Sequence, residues 1–311
     1  TKDSAPGPDG LPYAFWRAYP SQASEAATAL FDDIMEGAVA PPSQVGVWIP
    51  KAKPGPYGDD YRPLGMPSTI DRVLDAAIAA CCIRVLAPFM HPSQTMLNSF
   101  REPQGAIVHL QRILDDGRPA AVLSVDMSKA FERVNPFWAL AVLRGRGAPA
   151  WLLRYAQYLF FGRKIQHKVQ GRLLPPRVVR QGVDMGRAFS VFMFCVAMDP
   201  VYWALNRVPR SLGVEGYVDD CSVAGELPQR DSHATTCLAW LRATREIYDW
   251  VASAGFLVLD RNCFWSQACD AEAPLRATVA AGPLPYSMGG VGCCSAWSRL
   301  SCFGRVPPAW A

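Results

Sequence analysis

Patterned cysteine and histidine are missing from this sequence. Its ten cysteines contain no CxxC pair and its four histidines form no ligand-spaced cluster with them, which gives neither a zinc site nor a disulfide framework. Cys81 and Cys82 fall in one helical apolar pattern and Cys195 in another, the setting of buried reduced thiols in an intracellular protein. No basic n-region followed by an apolar h-region opens the chain. The longest apolar stretch, Ala188 to Met198, stops at Asp199, short of a bilayer span. A soluble, intracellular chain with no membrane partner is expected. Lysine is scarce, with six against 25 arginines and none after Lys168. There is no internal repeat, and because the chain opens on Thr rather than Met, a piece of a longer protein is expected.

What is present is ample apolar material. Half of the 311 residues are hydrophobic, enough for a substantial core and one enzyme-sized unit with subdomains. The net charge is only +4, yet Arg163, Lys164, Lys168, Arg172, Arg177, Arg180 and Arg187 face a single acid, Asp184, over 25 residues. Such a field suits a polyanion; a solvated basic hairpin is the plain alternative.

The apolar spacing places the elements. A helix is expected from Ser21 to Ala38, a strand at "VGVWIP", then a basic Pro/Gly-rich loop to Gly65. Ser68 and Asp71 form a capping-box-like start for a helix stopped by Pro88. A helix follows from about Gln104 to Asp116, then the continuous apolar run "AAVLSVDMSKAF", a buried central strand ending at Asp126. Helical patterns fill 136–162, the basic stretch alternates like a hairpin, and an apolar helix spans roughly Ala188 to Leu205. "LGVEGY" and "CSVAG" read as two strands joined by "VDD", with a long helix from Ser232 to Ala254 beyond them.

The adjacent Asp219 and Asp220 then raise an electrostatic question, because two neighbouring carboxylates oppose one another's ionisation unless a cation offsets them. If the hairpin pairs beside the strand ending at Asp126, three carboxylates meet at one sheet edge. Hard divalent cations such as magnesium take this kind of oxygen donor and complete their shells with phosphate and water. Successive strand residues face opposite ways, so Asp219 is read as the direct ligand and Asp220 as its support. A solvated Asp-rich turn is the bland reading of the dipeptide.

The ordered set of motifs resembles a reverse transcriptase of the non-LTR retrotransposon and group II intron type. "YVDD" (Tyr217 to Asp220) is similar to that family's catalytic hairpin, and "SVDMSKAFERVN" (Ser124 to Asn135) to its first catalytic motif. "VRQGVDMGRAFSVFMFCVAMDPV" resembles the segment along template and nucleotide, and "HPSQTMLNSFREPQGAI" the short finger segment before the palm. "SAPGPDGLPYAFW" and "IPKAKPGPYGDDYRPLG" are similar to the family's N-terminal and basic finger motifs. The resemblance implies an α+β right hand with fingers and a ferredoxin-like palm, arranged as fingers over 1–118 and palm over 119–263. The palm would carry a helical insertion at about 136–162, and 264–311 would form a degenerate segment with a primer-grip remnant and no visible thumb.

By the same resemblance, Asp126 and Asp219 bind two Mg2+ ions, which Mn2+ could replace, and the Met127 carbonyl adds a ligand. Lys51, Lys53 and Arg62 would meet the triphosphate, Phe131 would screen the sugar 2′-OH, and Gln181 and Gly182 would line the nucleotide. Because "VDMGRAF" follows "RQG", Met185-Gly186 is the alternative pair. The implied partners are an RNA template, a DNA primer and deoxynucleoside triphosphates, with the 163–187 hairpin as a nucleic-acid contact. One departure stands out: Asn262 occupies the place where the family carries a lysine, and neighbouring Arg261 is a poor proton donor. The implied activity is RNA-templated DNA synthesis. The alternatives are a catalytically decayed relic that binds nucleic acid and an unrelated hydrolase with a carboxylate cluster.

Overall fold

A computed structural model describes residues 6–51, 61–97, 103–116, 120–125, 129–226, 244, 246–247 and 264–268. Lys53, Asp126, Met127, Arg261, Asn262 and most of the expected 232–254 helix lie outside them. The fold is mixed α+β. In chain order come α1 (Tyr13–Ala18), α2 (Pro20–Glu36), β1 (Ser43–Pro50), β2 (Tyr61–Met66) and α3 (Thr69–Leu86). Then follow α4 (Pro103–Asp115), β3 (Ala120–Val125), α5 (Ala130–Arg133), α6 (Pro136–Gly145) and α7 (Ala150–Phe160). The remainder comprises β4 (Lys164–Val169), β5 (Arg172–Leu173), β6 (Arg177–Val178), α8 (Ala188–Asn206), β7 (Ser211–Tyr217), β8 (Asp220–Glu226) and β9 (Phe264–Ala268).

Local chemistry explains several boundaries. Pro20 opens α2 at its first position, where its missing N–H costs nothing, so the helix starts one residue before the Ser21 cap expected from sequence. Gly37 closes it in the left-handed conformation, φ 76°. The Asp71 carboxylate accepts from the Ser68 amide, the reciprocal half of the capping box at the start of α3. Asn135 caps α6 by accepting from the amides of Phe137 and Trp138, with Pro136 in the first turn.

Two compact units result: Thr1–Leu86 with Phe131–Ala197, and Ala87–Ala130 with Met198–Ala311. In the first unit, β2, β1, β4 and β5 lie side by side and β6 pairs with β4; β1 runs parallel to β4 and antiparallel to β2. Its core gathers Leu152, Tyr155, Leu159, Phe160, Phe189 and Phe192, all buried. Tyr155 meets Phe189 edge to face at 5.1 Å, and each such side chain contributes about 1.5–3 kcal/mol by leaving water.

The second unit carries an antiparallel sheet in the order β7-β8-β3-β9. β3 is central, flanked by β8 and β9, in keeping with a sequence that is apolar but for Ser124. Helix α8 runs through Asp199 and Pro200 to Asn206, beyond the point where its most apolar stretch ends. Among the described residues it is the one helix long and apolar enough to cross a bilayer, but most of it is buried within the chain, as in a core helix.

Candidate active site

The hairpin β7–β8 carries the two aspartates. Tyr217 pairs with Asp220, so the connection is the two-residue turn Val218-Asp219 and Asp220 is already the first residue of β8. Val218 adopts φ 58°, a left-handed conformation that a β-branched residue enters at a cost of about 1–3 kcal/mol. Asp219 is half-buried at the tip and Asp220 is exposed. Partial burial, and then the neighbouring Asp219 charge, push the Asp220 carboxyl above its ordinary range. A cation at the tip would relieve both effects, so the donors present fit a hard divalent ion.

The register extends this site. Along the β3–β8 ladder Ser124 faces Ser222 and Val125 faces Cys221, the residue next to Asp220. Asp126 follows Val125 directly in sequence but lies outside the described residues. Among the described residues no three His, Cys, Asp or Glu side chains cluster as a metal site.

Gly216, two residues before the turn, is held from two directions. Its amide donates to the Ser93 carbonyl at 3.0 Å and its carbonyl accepts from the Thr95 hydroxyl at 2.5 Å. On the sheet face, the Tyr202 ring and hydroxyl fill the place a Cβ at Gly216 would occupy. On the neighbouring residue, buried Glu215 meets His109 of α4 at 2.5 Å. Sequence reading placed "HPSQT" among the finger motifs and drew nothing from its contact with the hairpin. A signal for it was Asp199, the lone acid of α8, at the end of its most apolar stretch.

The expected nucleotide-side residues belong to the other unit. Phe131 is half-buried and stacks on Phe194 with centroids 5.1 Å apart, while its carbonyl accepts from Val183 at 2.7 Å. Gly182 (φ 86°) donates to the Val134 carbonyl at 2.8 Å, and a Cβ there would stand 2.6 Å from the Glu132 carbonyl oxygen. Exposed Gln181 donates to the Arg133 carbonyl at 3.2 Å. The Gln181–Val183 loop is thereby tied to residues 131–134. Met185 is half-buried and Gly186, φ 100°, sits against Leu64. Lys51 and Arg62 are exposed at the same end of the β1–β2 pair, where Pro50 faces Tyr61.

The basic stretch divides in two. Lys164, Lys168, Arg172, Arg177 and Arg180 are exposed, but Arg163 and Arg187 are each only 2% exposed. Charge pattern alone had grouped all seven as one surface field, whereas two of them serve an internal network. Arg163 Nε lies 3.0 Å from Asp184 Oδ1, and Arg187 Nε lies 3.5 Å from Asp184 Oδ2 and its Nη1 3.8 Å from Asp75. Asp75 also accepts from the Tyr155 hydroxyl at 3.0 Å and the Phe189 amide at 3.2 Å. Burial works against the Arg187 charge, but Asp75 and Asp184 outweigh it and hold its pKa above the ordinary value. Arg163 also donates to the Gly182 carbonyl at 2.8 Å, so the network reaches the Gln181–Gly182 loop.

A family model described as reverse transcriptase (RNA-dependent DNA polymerase) matches residues 49–261. Among curated proteins, an uncharacterized 149 kDa protein of transposon TX1 from Xenopus laevis is 23% identical over 212 residues, covering 64% of this chain and 16% of that protein. A retrovirus-related Pol polyprotein from the type-2 retrotransposable element R2DM of Drosophila melanogaster is 24% identical over 221 residues, covering 68% of this chain and 20% of its own. The chain thus spans a fifth or less of the length of these relatives. With a family match over more than two thirds of its 311 residues, the protein belongs to the reverse transcriptase (RNA-dependent DNA polymerase) family.

Proposed function

We propose that this chain is the nucleotidyl-transfer domain of a retroelement protein and extends a DNA primer on an RNA template from deoxynucleoside triphosphates. The observation that carries the reading is the ladder between β3 and β8: it ends with Val125 opposite Cys221, and in sequence Asp126 follows Val125 while Asp220 precedes Cys221. Asp126 and Asp219 would hold two Mg2+ ions, or Mn2+ in their place, with the Met127 carbonyl as a further oxygen donor and Asp220 in support. Bound there, such ions lower the pKa of a primer 3′-hydroxyl and neutralise charge on the phosphates.

The chain's own residues supply position. Lys51 and Arg62 offer cations to a triphosphate from the β1–β2 end, and Lys53 would add a third, since charge-assisted hydrogen bonds to phosphate are strong. Phe131, fixed by its stacking on Phe194, screens the 2′-position of the incoming sugar. The Gln181–Gly182 loop lines the nucleotide; its hydrogen bonds to residues 133 and 134 support this pair over Met185-Gly186. Exposed Lys164, Lys168, Arg172, Arg177 and Arg180 of the 163–187 hairpin give a contact for the nucleic-acid backbone. The strand order β7-β8-β3-β9 supports a ferredoxin-like palm, read over 119–263 beside fingers over 1–118. The primer-grip remnant in 264–311 belongs to the same proposal.

The alternative is a relic that retains RNA binding without catalysis, favoured by Asn262 at the family's lysine position. Loss of a general acid costs about 10²-fold or more in rate, so slow synthesis is the expectation. Extension of oligo(dT) on poly(rA) with Mg2+ or Mn2+, by the parent and by Asp219→Ala, separates the two readings. Extension abolished by the substitution supports the enzyme; RNA binding without any extension by the parent supports the relic.

A further inference from the structure

β7 is the edge strand of its sheet, so the outward backbone groups near its end need partners from elsewhere. At Gly216 they find them in the segment His91–Thr95: Ser93 accepts from its amide, Thr95 donates to its carbonyl, and Gln94 forms a parallel bridge with it. That segment is itself fixed from below. Asp199 of α8, fully buried, accepts from the His91 amide at 2.6 Å and from Gln94 Nε2 at 3.0 Å. A buried carboxylate is tolerated when such donors surround it, and the bonds it forms are among the stronger ones. His91 Nδ1 accepts from the Ser93 amide at 3.2 Å, and its ring lies against Tyr202 and Trp203 of α8. Tyr202 then closes on Gly216 from the sheet face. Two residues further on, Val218 is held at φ 58°. A strained backbone of this kind persists where its surroundings over-determine it, and here the edge and the face of Gly216, two residues before it, are both fixed.

We propose that the His91–Thr95 segment, anchored on Asp199, is a clamp that sets the position of the Val218-Asp219 turn, with Gln94, Thr95 and Asp199 as positioning residues. The consequence for catalysis rests on the reading of Asp219 as a metal ligand. The clamp itself stands on geometry and can be tested without activity.

The test uses the full chain with Thr95→Val, which keeps the shape and removes the donor, and Thr95→Ser, which restores it. Amide hydrogen exchange is followed by mass spectrometry in peptides covering 211–226, with α7 as an internal control. Loss of one such hydrogen bond speeds local opening roughly fivefold. Exchange in 211–226 is therefore expected to quicken about fivefold in Thr95→Val, to be unchanged in α7, and to return to normal in Thr95→Ser. Primer extension should show kcat down about tenfold with KM for dTTP within about twofold, again restored by Ser, since small misplacements near the reacting groups act on kcat. Parent-like exchange in 211–226 of Thr95→Val overturns the clamp, and faster exchange with unchanged kcat overturns its positioning role. Should the parent fail to extend primers, the polymerase reading fails while exchange alone still decides the clamp. Should Thr95→Val lose protection everywhere, Gln94→Met, which removes the donor to Asp199, carries the same comparison.

Discussion

Tyr202 fills the space into which a side chain at Gly216 would project. Gly216→Ala therefore forces apart α8 and the strand that leads to Val218 and Asp219. Overpacking of this kind costs about 1–3 kcal/mol, and urea unfolding should show a loss of that size. Combining it with Tyr202→Ala should recover part of the loss; strict additivity of the two substitutions would contradict the contact.

Gly182 and Gly171 both hold positive φ, 86° and 80°, but in different surroundings. A Cβ at Gly171 meets nothing within 4 Å, whereas at Gly182 it meets the Glu132 backbone at 2.6 Å. Gly171→Ala should cost only the left-handed conformation, about 1–2 kcal/mol, and Gly182→Ala distinctly more because backbone cannot rotate away. Thermal unfolding of the two variants side by side checks the order.

Asp184 is the shared counter-charge of Arg163 and Arg187. Replacing it with Ala leaves two buried guanidinium groups under-compensated, and breaking a buried pair in this way costs about 3–5 kcal/mol. Because the groups are buried, the loss should persist in 1 M salt, where exposed ion pairs are screened. A loss that vanished with salt would mean that the network is not internal.

His91 supplies a pH dependence. Burial first, against the opposing pull of Asp199, holds its imidazole below the ordinary value of 6.5. Its Nδ1 also accepts the Ser93 amide and must stay unprotonated to do so. The unfolded chain thus binds this proton more readily than the folded one. The stability that depends on His91 is fully present above pH 6.5 and is lost as pH falls toward the lowered value. Unfolding free energies between pH 7.5 and 5 should fall more steeply in the parent than in His91→Asn.

Legibility from sequence followed the range of the interactions. The hairpin at "YVDD", the central strand before Asp126 and the extents of α3, α4 and α8 were readable because alternation, apolar runs and caps are local signals. The docking of Ser93 and Thr95 onto Gly216 was not, since it joins residues more than a hundred positions apart through the Ser93 backbone carbonyl and a single threonine hydroxyl. The burial of Arg163 and Arg187 was missed for a related reason: cations read as surface until Asp75, distant in sequence, is found beside Arg187. The left-handed turn at Val218 has no composition signal, because Gly or Asn would be the residue expected there.

The most direct test of the central claim is the rate of dTTP incorporation on poly(rA)·oligo(dT) by the parent, Asp126→Ala and Asp219→Ala, with RNA affinity measured in parallel. Two carboxylates that hold the same metal pair predict that each substitution lowers incorporation by at least about 10³-fold while RNA affinity stays within about twofold. Parent-like incorporation by Asp126→Ala, or no incorporation by the parent, would contradict it.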